Sequence, residues 1–328
     1  MDTKKVWFVT GASKGLGLVL VKKLLENGYR VAATSRDLHS LEAAIGRPSD
    51  SFLPLSMDLT DNEDVQTAID HCVRHFGQID VVVNNAGFGL IGTIEELSDK
   101  EVRENFDVNV FGSLNVIRNA TPYLRQQRSG YIFNIASIGG YSGGFAGFDI
   151  YCSTKFAVAG FSEGLAEALK DFGVHVSVVY PGYFRTHFLS SGSIRTAENP
   201  IAEYTSARAS EQAHLKDIDG NQPNDPERAA EILIDISELS TPPVHLFLGK
   251  DAYAIANQKT ELIQQTMAEY ETIGTSTNIV SLVILEKKNK TCEQSRLSCN
   301  TRTFKERPTV EGTDYILYSI RSITQECR

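Results

Sequence analysis

The sequence predicts an α/β protein built on a doubly wound, parallel, seven-stranded sheet with helices on both faces. Two observations carry this. Short runs rich in β-branched residues alternate with longer amphipathic stretches from the first residues to about Gly249, the pattern of βαβ units joined by right-handed crossovers. The first such run ends at Thr10 and is followed by a turn holding Gly11, Gly15 and Gly17 that opens the first amphipathic stretch. There the backbone amides of a helix start can approach a phosphate without Cβ obstruction.

Each element has a local cause. Lys5 leads into Val6-Trp7-Phe8-Val9, which places the first strand over residues 5–10, and the glycine turn starts a helix over 16–27. Residues 30–35 and 52–56 are short β-favouring runs, and a helix over 61–76 precedes a strand over 80–84. Asn84-Asn85-Ala86-Gly87 closes that strand, and the long stretch over 100–127 reads as one helix. A strand over 130–136 ends before Ser137, a helix over 151–172 begins with Tyr151, and a strand over 175–180 runs into Pro181-Gly182. Asn224-Asp225-Pro226 is a helix start signal, giving a helix over 226–239 before the last strand, 244–248.

The 328 residues, 41% hydrophobic and 22% charged, suit one large domain with an appendage. Residues 1–277 form the expected domain and 278–328 a C-terminal extension of unknown structure, where nine Lys/Arg stand against six Asp/Glu. Removing that +3 from the net charge of −9 leaves the body near −12, which offers no electrostatic footprint for nucleic acid or an anionic membrane. The cysteines at 72, 152, 292, 299 and 327 form no CxxC pair and no metal-ligand spacing, so neither a disulfide framework nor a metal site is expected. The apolar run at the start is too short for a signal peptide or a membrane span. A cytoplasmic protein with a small-molecule partner is expected.

The chemistry concentrates in Tyr151-Cys152-Ser153-Thr154-Lys155, fourteen residues after Ser137. Tyr151 and Lys155, four positions apart, share a helix face, so the ammonium can stay near the phenol. A free tyrosine has a pKa of about 10, and bringing it toward neutrality needs roughly 4 kcal/mol of phenolate stabilisation. A cation about 4 Å away supplies on the order of 4 kcal/mol at an effective dielectric of about 20, before desolvation is counted. The second strand ends in Thr34-Ser35-Arg36, with no carboxylate there to hold an adenosine ribose. Arg36 and Lys14 can pair with a 2′-phosphate instead, which favours NADP over NAD, although Asp37 follows one residue later.

Thr10-Gly11-x-x-x-Gly15-x-Gly17, Asn84-Asn85-Ala86-Gly87, Ser137, Tyr151-x-x-x-Lys155 and Pro181-Gly182 occur in that order. With them the chain, over residues 4–275, resembles the non-extended branch of the short-chain dehydrogenases/reductases. The resemblance implies a Rossmann-type fold and a catalytic set at Asn109, Ser137, Tyr151 and Lys155. It implies cofactor contacts from Gly11, Ser13, Lys14, Gly15, Leu16 and Gly17, from Ser35 and Arg36, and from Asp58 and Leu59 at the adenine. Asn85, Ala86 and Gly87, then Tyr151 and Lys155, then Pro181, Gly182 and Thr186 complete the implied cofactor site. In such an enzyme Tyr151 is the general acid/base for a carbonyl or alcohol, Ser137 holds the oxygen, Lys155 binds the nicotinamide ribose and Asn109 positions a water. The helices over 100–127 and 151–172 correspond to those that pair in the family, so a homodimer or homotetramer is expected.

Phe88, Leu90, Ile91, Ile138, Tyr141, Phe145, Phe148, Tyr183, Phe184, Phe188 and Leu189 flank these motifs. They are expected to form an apolar mouth suited to a lipophilic substrate, and residues 190–223 lie where the family keeps a lid. Cys152 lacks a neighbouring histidine within the motif and reads as packing rather than a nucleophile, and His187 reads as a loop residue. A catalytically silent nucleotide-binding scaffold that uses its basic tail for a partner is the alternative function. Epimerisation or dehydration on the same scaffold is a third.

Overall fold

The computed structural model describes residues 4–190 and 192–278. Of the C-terminal extension expected over 278–328, all but residue 278, and with it Cys292, Cys299 and Cys327, lies outside the described residues. One compact unit ends at Thr275.

Seven strands among the described residues form one parallel sheet: β1 (Val6–Val9), β2 (Arg30–Ser35), β3 (Phe52–Ser56), β4 (Val81–Asn84), β6 (Gly130–Ile135), β7 (Val174–Pro181) and β9 (His245–Leu248). Their order is β3-β2-β1-β4-β6-β7-β9. The chain thus builds outward from β1 on one side and then returns to build outward from β4 on the other, which opens a crevice at the carboxyl ends of β1 and β4. Two three-residue strands, β5 (Gly89–Ile91) and β8 (Ile194–Thr196), pair parallel in a separate ribbon.

All four residues of β1 are buried because both sheet faces are covered. Trp7 and Val9 point to a layer made with α1 (Gly15–Glu26) and α8 (Pro226–Ser237), which contribute Leu20, Leu24 and Leu233. Val6 and Phe8 point to the opposite layer, where α3 (Asn62–Phe76), α5 (Gly112–Gln127) and α6 (Asp149–Leu169) supply Ile69, Val116 and Leu169. Burying each such side chain contributes about 1.5–3 kcal/mol. Local signals mark the ends. Asp61 caps α3 by accepting from the amides of Glu63 and Asp64, and Gly77 closes it with a φ of 82°. Asp225 caps α8 just before Pro226.

The seven strands and the helices expected around them are present, with ends shifted by a residue or two. The expected single helix over 100–127 is α4 (Asp99–Phe106), a five-residue π turn at Asp107–Phe111 and then α5. Three further elements were not expected from the sequence: α2 (Leu38–Ile45), the β5/β8 ribbon and α9 (Lys250–Thr275), while α7 (Thr205–Gln212) falls in the stretch where the resemblance implies a helical lid.

Candidate active site

The carboxyl ends of the strands open into one cavity of about 430 Å³. Its floor is two interlocked turns. Thr10 Oγ1 donates to Val83 O and accepts from the amides of Asn85 and Ala86, while Asn85 Nδ2 donates to Thr10 O (3.0 Å) and Gly11 O (3.1 Å). A Cβ at Gly17 would stand 2.4 Å from Asn85 Nδ2, and one at Gly11 would stand 2.7 Å from Ala86 Cα. Only glycine lets the turns approach this closely. Gly15, with a φ of 62°, has no atom within 4 Å of where its Cβ would be, so a side chain there would occupy the open cradle. No side chain caps the start of α1 and no acid stands in its first turn, which leaves amide donors and the positive helix end for an anion.

Two cations line that end of the cavity. The Lys14 pKa is lowered by burial and then by the charge of Arg36, both cavity residues. Asp58 accepts from Thr60 N at 2.9 Å and Thr60 Oγ1 at 2.8 Å, and these bonds, with a smaller pull from Arg36, hold its carboxyl below the usual range. Asp37 is occupied elsewhere. Its carboxylate accepts from His39 N at 3.0 Å and from the Ser40 hydroxyl, capping α2.

At the other end, Tyr151 and Lys155 lie buried on one face of α6. Lys155 Nζ donates to Ile135 O at 2.9 Å and sits 5.8 Å from the centre of the Tyr151 ring. Tyr151 shares a side-chain hydrogen bond with Ser137, whose Oγ also accepts from Gly139 N at 3.1 Å. Burial raises the Tyr151 pKa more than the Ser137 bond lowers it, and burial brings Lys155 down to about 8. The sequence-based expectation of a lowered Tyr151 pKa sets desolvation aside, and burial is the largest influence on this group in the fold. Burial thus disfavours the phenolate form of Tyr151.

Asn109 sits in the π turn between α4 and α5. Its Oδ1 accepts from Phe88 N at 3.0 Å, and its Nδ2 donates to Phe88 O (3.0 Å) and Thr154 Oγ1 (3.1 Å). Thr154 Oγ1 in turn donates to Tyr151 O at 2.7 Å. A Cβ at Gly87 would stand 2.9 Å from Asn109 Oδ1 and 3.5 Å from Lys155 Nζ, so the three residues converge there.

Of the expected site residues, Ser137, Tyr151, Lys155, Gly11, Ser13, Lys14, Gly15, Leu16, Ser35, Arg36, Asp58, Leu59, Asn85, Ala86, Gly87, Pro181, Gly182 and Thr186 all line the cavity. Gly17 and Asn109 lie behind it, as packing and positioning residues. Three expected mouth residues are elsewhere. Leu90 and Ile91 are drawn into the interior by the β5/β8 ribbon, and Tyr141 packs on Tyr180 and Phe247 with its hydroxyl 2.7 Å from Thr260 Oγ1. His187 is a cavity residue, and so is Cys152, whose thiol burial pushes up to about 12, out of nucleophile range. His214 and Gln222 reach the cavity from residues 190–223; in a polar stretch nothing in the sequence separates them from solvated side chains.

The geometry agrees with what known proteins show. The sequence model of a family described as short chain dehydrogenase matches residues 5–195. Oxidoreductase BOA17 of Botryotinia fuckeliana is 34% identical over 261 residues, 79% of this chain and 94% of the relative. The 3-ketodihydrosphingosine reductase of Bacteroides thetaiotaomicron is 30% identical over 272 residues, 81% of this chain and 96% of the relative. A solved short-chain dehydrogenase from Streptomyces avermitilis has a TM-score of 0.77 at 32% identity, covering 84% of this chain and 100% of that one. With its parallel sheet, interlocked glycine turns and cavity-lining Ser137, Tyr151 and Lys155, the chain belongs to the short-chain dehydrogenase family and is an oxidoreductase.

Proposed function

We propose that the protein is an NADP(H)-dependent oxidoreductase that interconverts a carbonyl and an alcohol on a lipophilic substrate, with Tyr151 as general acid/base. The observation that carries this reading is the buried Tyr151, bonded to Ser137 and close to Lys155, at the wall of a cavity that begins at an uncapped helix start.

A dinucleotide fits the residues present. The open cradle at Gly15 suits a diphosphate, and the Lys14 and Arg36 cations, set near enough to repel one another, suit a 2′-phosphate. Asp37, the one acid near enough in sequence to serve a ribose hydroxyl, is spent on capping α2. Phe145, Phe148, Phe188 and Leu189 line the cavity, which supports a lipophilic substrate, and one similar protein is a reductase of a keto compound by its name.

When bound, a nicotinamide supplies hydride in reduction and accepts it in oxidation. Tyr151 gives its hydroxyl proton to the substrate oxygen in reduction and takes a proton back in oxidation. Ser137 Oγ holds that oxygen while negative charge develops. The Lys155 ammonium stabilises the phenolate that Tyr151 leaves behind, and Asn109 holds Phe88 and, through Thr154, the backbone of Tyr151. Exposed Phe111 and Phe156, beside α5 and on α6, support pairing of these helices in a homo-oligomer.

The test follows absorbance at 340 nm with NADPH and NADH against a panel of aldehydes and ketones. Tyr151→Phe is expected to bind NADPH by fluorescence titration yet lose roughly 10²–10⁴-fold in turnover; retained turnover sinks the assignment. Arg36→Ala is expected to weaken NADPH binding about tenfold or more while sparing NADH. A wild-type preference for NADH overturns the 2′-phosphate reading.

A further inference from the structure

The cavity wall holds a polar pair that the proposed proton transfer does not use. Tyr183, just after the Pro181-Gly182 turn, and His214, in the wide turn at Ala213–Ile218 that follows α7, both line the cavity. Tyr183 Oη and His214 Nε2 are 2.9 Å apart, and His214 Nδ1 is 2.7 Å from Ser210 O. A carbonyl oxygen only accepts, so Nδ1 carries a proton, and in neutral His214 the Nε2 is an acceptor. Tyr183 therefore spends its hydroxyl hydrogen on Nε2. The lone pairs of Tyr183 Oη remain as acceptors, and burial, with the charge of Asp251, raises its pKa and keeps it a phenol.

The surroundings are apolar. The Phe148 ring lies 4.6 Å from the His214 ring and 6.1 Å from the Tyr151 ring, centre to centre, so one aromatic ring neighbours both the pair and the residue assigned to the reacting oxygen. Gln222, another cavity residue, is 2% exposed, and its Oε1 has no hydrogen-bond partner among the described residues. Both groups left over are acceptors. A buried acceptor without a donor costs about 1–3 kcal/mol, and the complementary ligand group is a donor.

We propose that Tyr183 and His214 form a second polar anchor in the substrate cavity, and that the substrate carries a hydroxyl, remote from its reacting carbon, that donates to Tyr183 Oη. This rests on the carbonyl–alcohol reading above. The hydroxyl would orient the substrate along the cavity, with its reacting carbon toward Tyr151 and its apolar body over Phe148. A substrate lacking it would leave the anchor desolvated and unpaired.

The test uses 2-octanone, 2-decanone and 2-dodecanone beside the same ketones with a terminal hydroxyl. The wild-type protein is expected to favour the hydroxylated member at the best-fitting length by about tenfold or more in kcat/KM. In Tyr183→Phe, which keeps the ring, that ratio is expected to fall to about one, and His214→Gln to lower it; NADPH fluorescence titration checks that both variants are folded. An undiminished ratio in Tyr183→Phe overturns the anchor, as does a wild-type ratio near one at every length. If neither cofactor supports reduction of any ketone, the carbonyl–alcohol reading is what fails. Isothermal titration with the same matched pairs then decides the anchor: a hydroxyl preference lost in Tyr183→Phe sustains it, and equal affinities overturn it.

Discussion

Lys155 carries a conflict between stability and chemistry. The proposed mechanism needs it as a cation beside Tyr151, yet burial lowers its pKa from an ordinary 10.5 to about 8. With a pKa of about 8 the ammonium form dominates at pH 7 and is lost progressively above pH 8. The pH profile of kcat/KM is therefore expected to descend with an apparent pKa of about 8; a profile flat to pH 10 sinks the role given to the ammonium. The stability effect has the opposite sign. Between about pH 8 and 10.5 the unfolded chain binds the proton that the folded chain has released, so stability gains from Lys155 as pH rises through that window, and the cost of the buried charge is fully present below it. Lys155→Met is expected to remove activity while raising the melting temperature at pH 7, measured by calorimetry.

Among the elements, residues 192–222 are tied to the body at several points, and Glu96 is one of the buried ones. Glu96, its side chain shielded from solvent, accepts from Thr93 N and Ile201 N, each at 2.7 Å, and pairs with Arg208 of α7 at 2.9 Å. Burial opposes its charge, but these hydrogen bonds and the Arg208 charge outweigh it and hold the Glu96 pKa below the usual value. The clasp is thus fully present above the ordinary carboxylate pKa of about 4.3 and is lost as pH falls below it. Glu96→Gln leaves the partly buried Arg208 guanidinium with Glu211 as its remaining carboxylate partner, at a cost of about 1–3 kcal/mol. Hydrogen exchange is expected to quicken in Thr205–Gln212 before the sheet is affected; unchanged protection there would show that the clasp does not fasten α7. What the sequence reveals about such elements depends on their physics. The helices α3 and α8 carry caps at Asp61 and Asp225 and bury a clear apolar face, so they are legible. The strands β5 and β8 are three residues each, too short for alternation to show. In α9 only Ala252 and Ala256 are buried, so 26 helical residues carry almost no apolar stripe. The break at Asp107–Phe111 coincides with contacts of Asn109 to Phe88 and Thr154, which are distant in sequence. The site was more legible than its surroundings, because glycine spacing and the Tyr151 to Lys155 interval are local, whereas the desolvation of Tyr151 and the arrival of His214 are properties of the assembled fold.

At the scale of the whole molecule, the site and the rest of the chain separate. Every cavity residue lies between Gly11 and Gln222, and the compact unit that holds them ends at Thr275. The family match spans residues 5–195, and 79% of this chain suffices to cover 94% of a similar oxidoreductase. The last residues, 278–328, carry a net +3 against an acidic body, a charge contrast that the cavity chemistry does not call on. A chain ending at Asn278 is therefore expected to keep kcat and KM within about twofold, and its melting temperature within about 2 °C, since a change of 1 kcal/mol in a large domain moves the midpoint by roughly 2–4 °C. The comparison is made in low and in high salt. A loss of turnover on truncation that high salt reproduces in the full-length chain would mean that the basic segment reaches the acidic body by charge. That result would favour a tail with a binding role and would take the site's autonomy away.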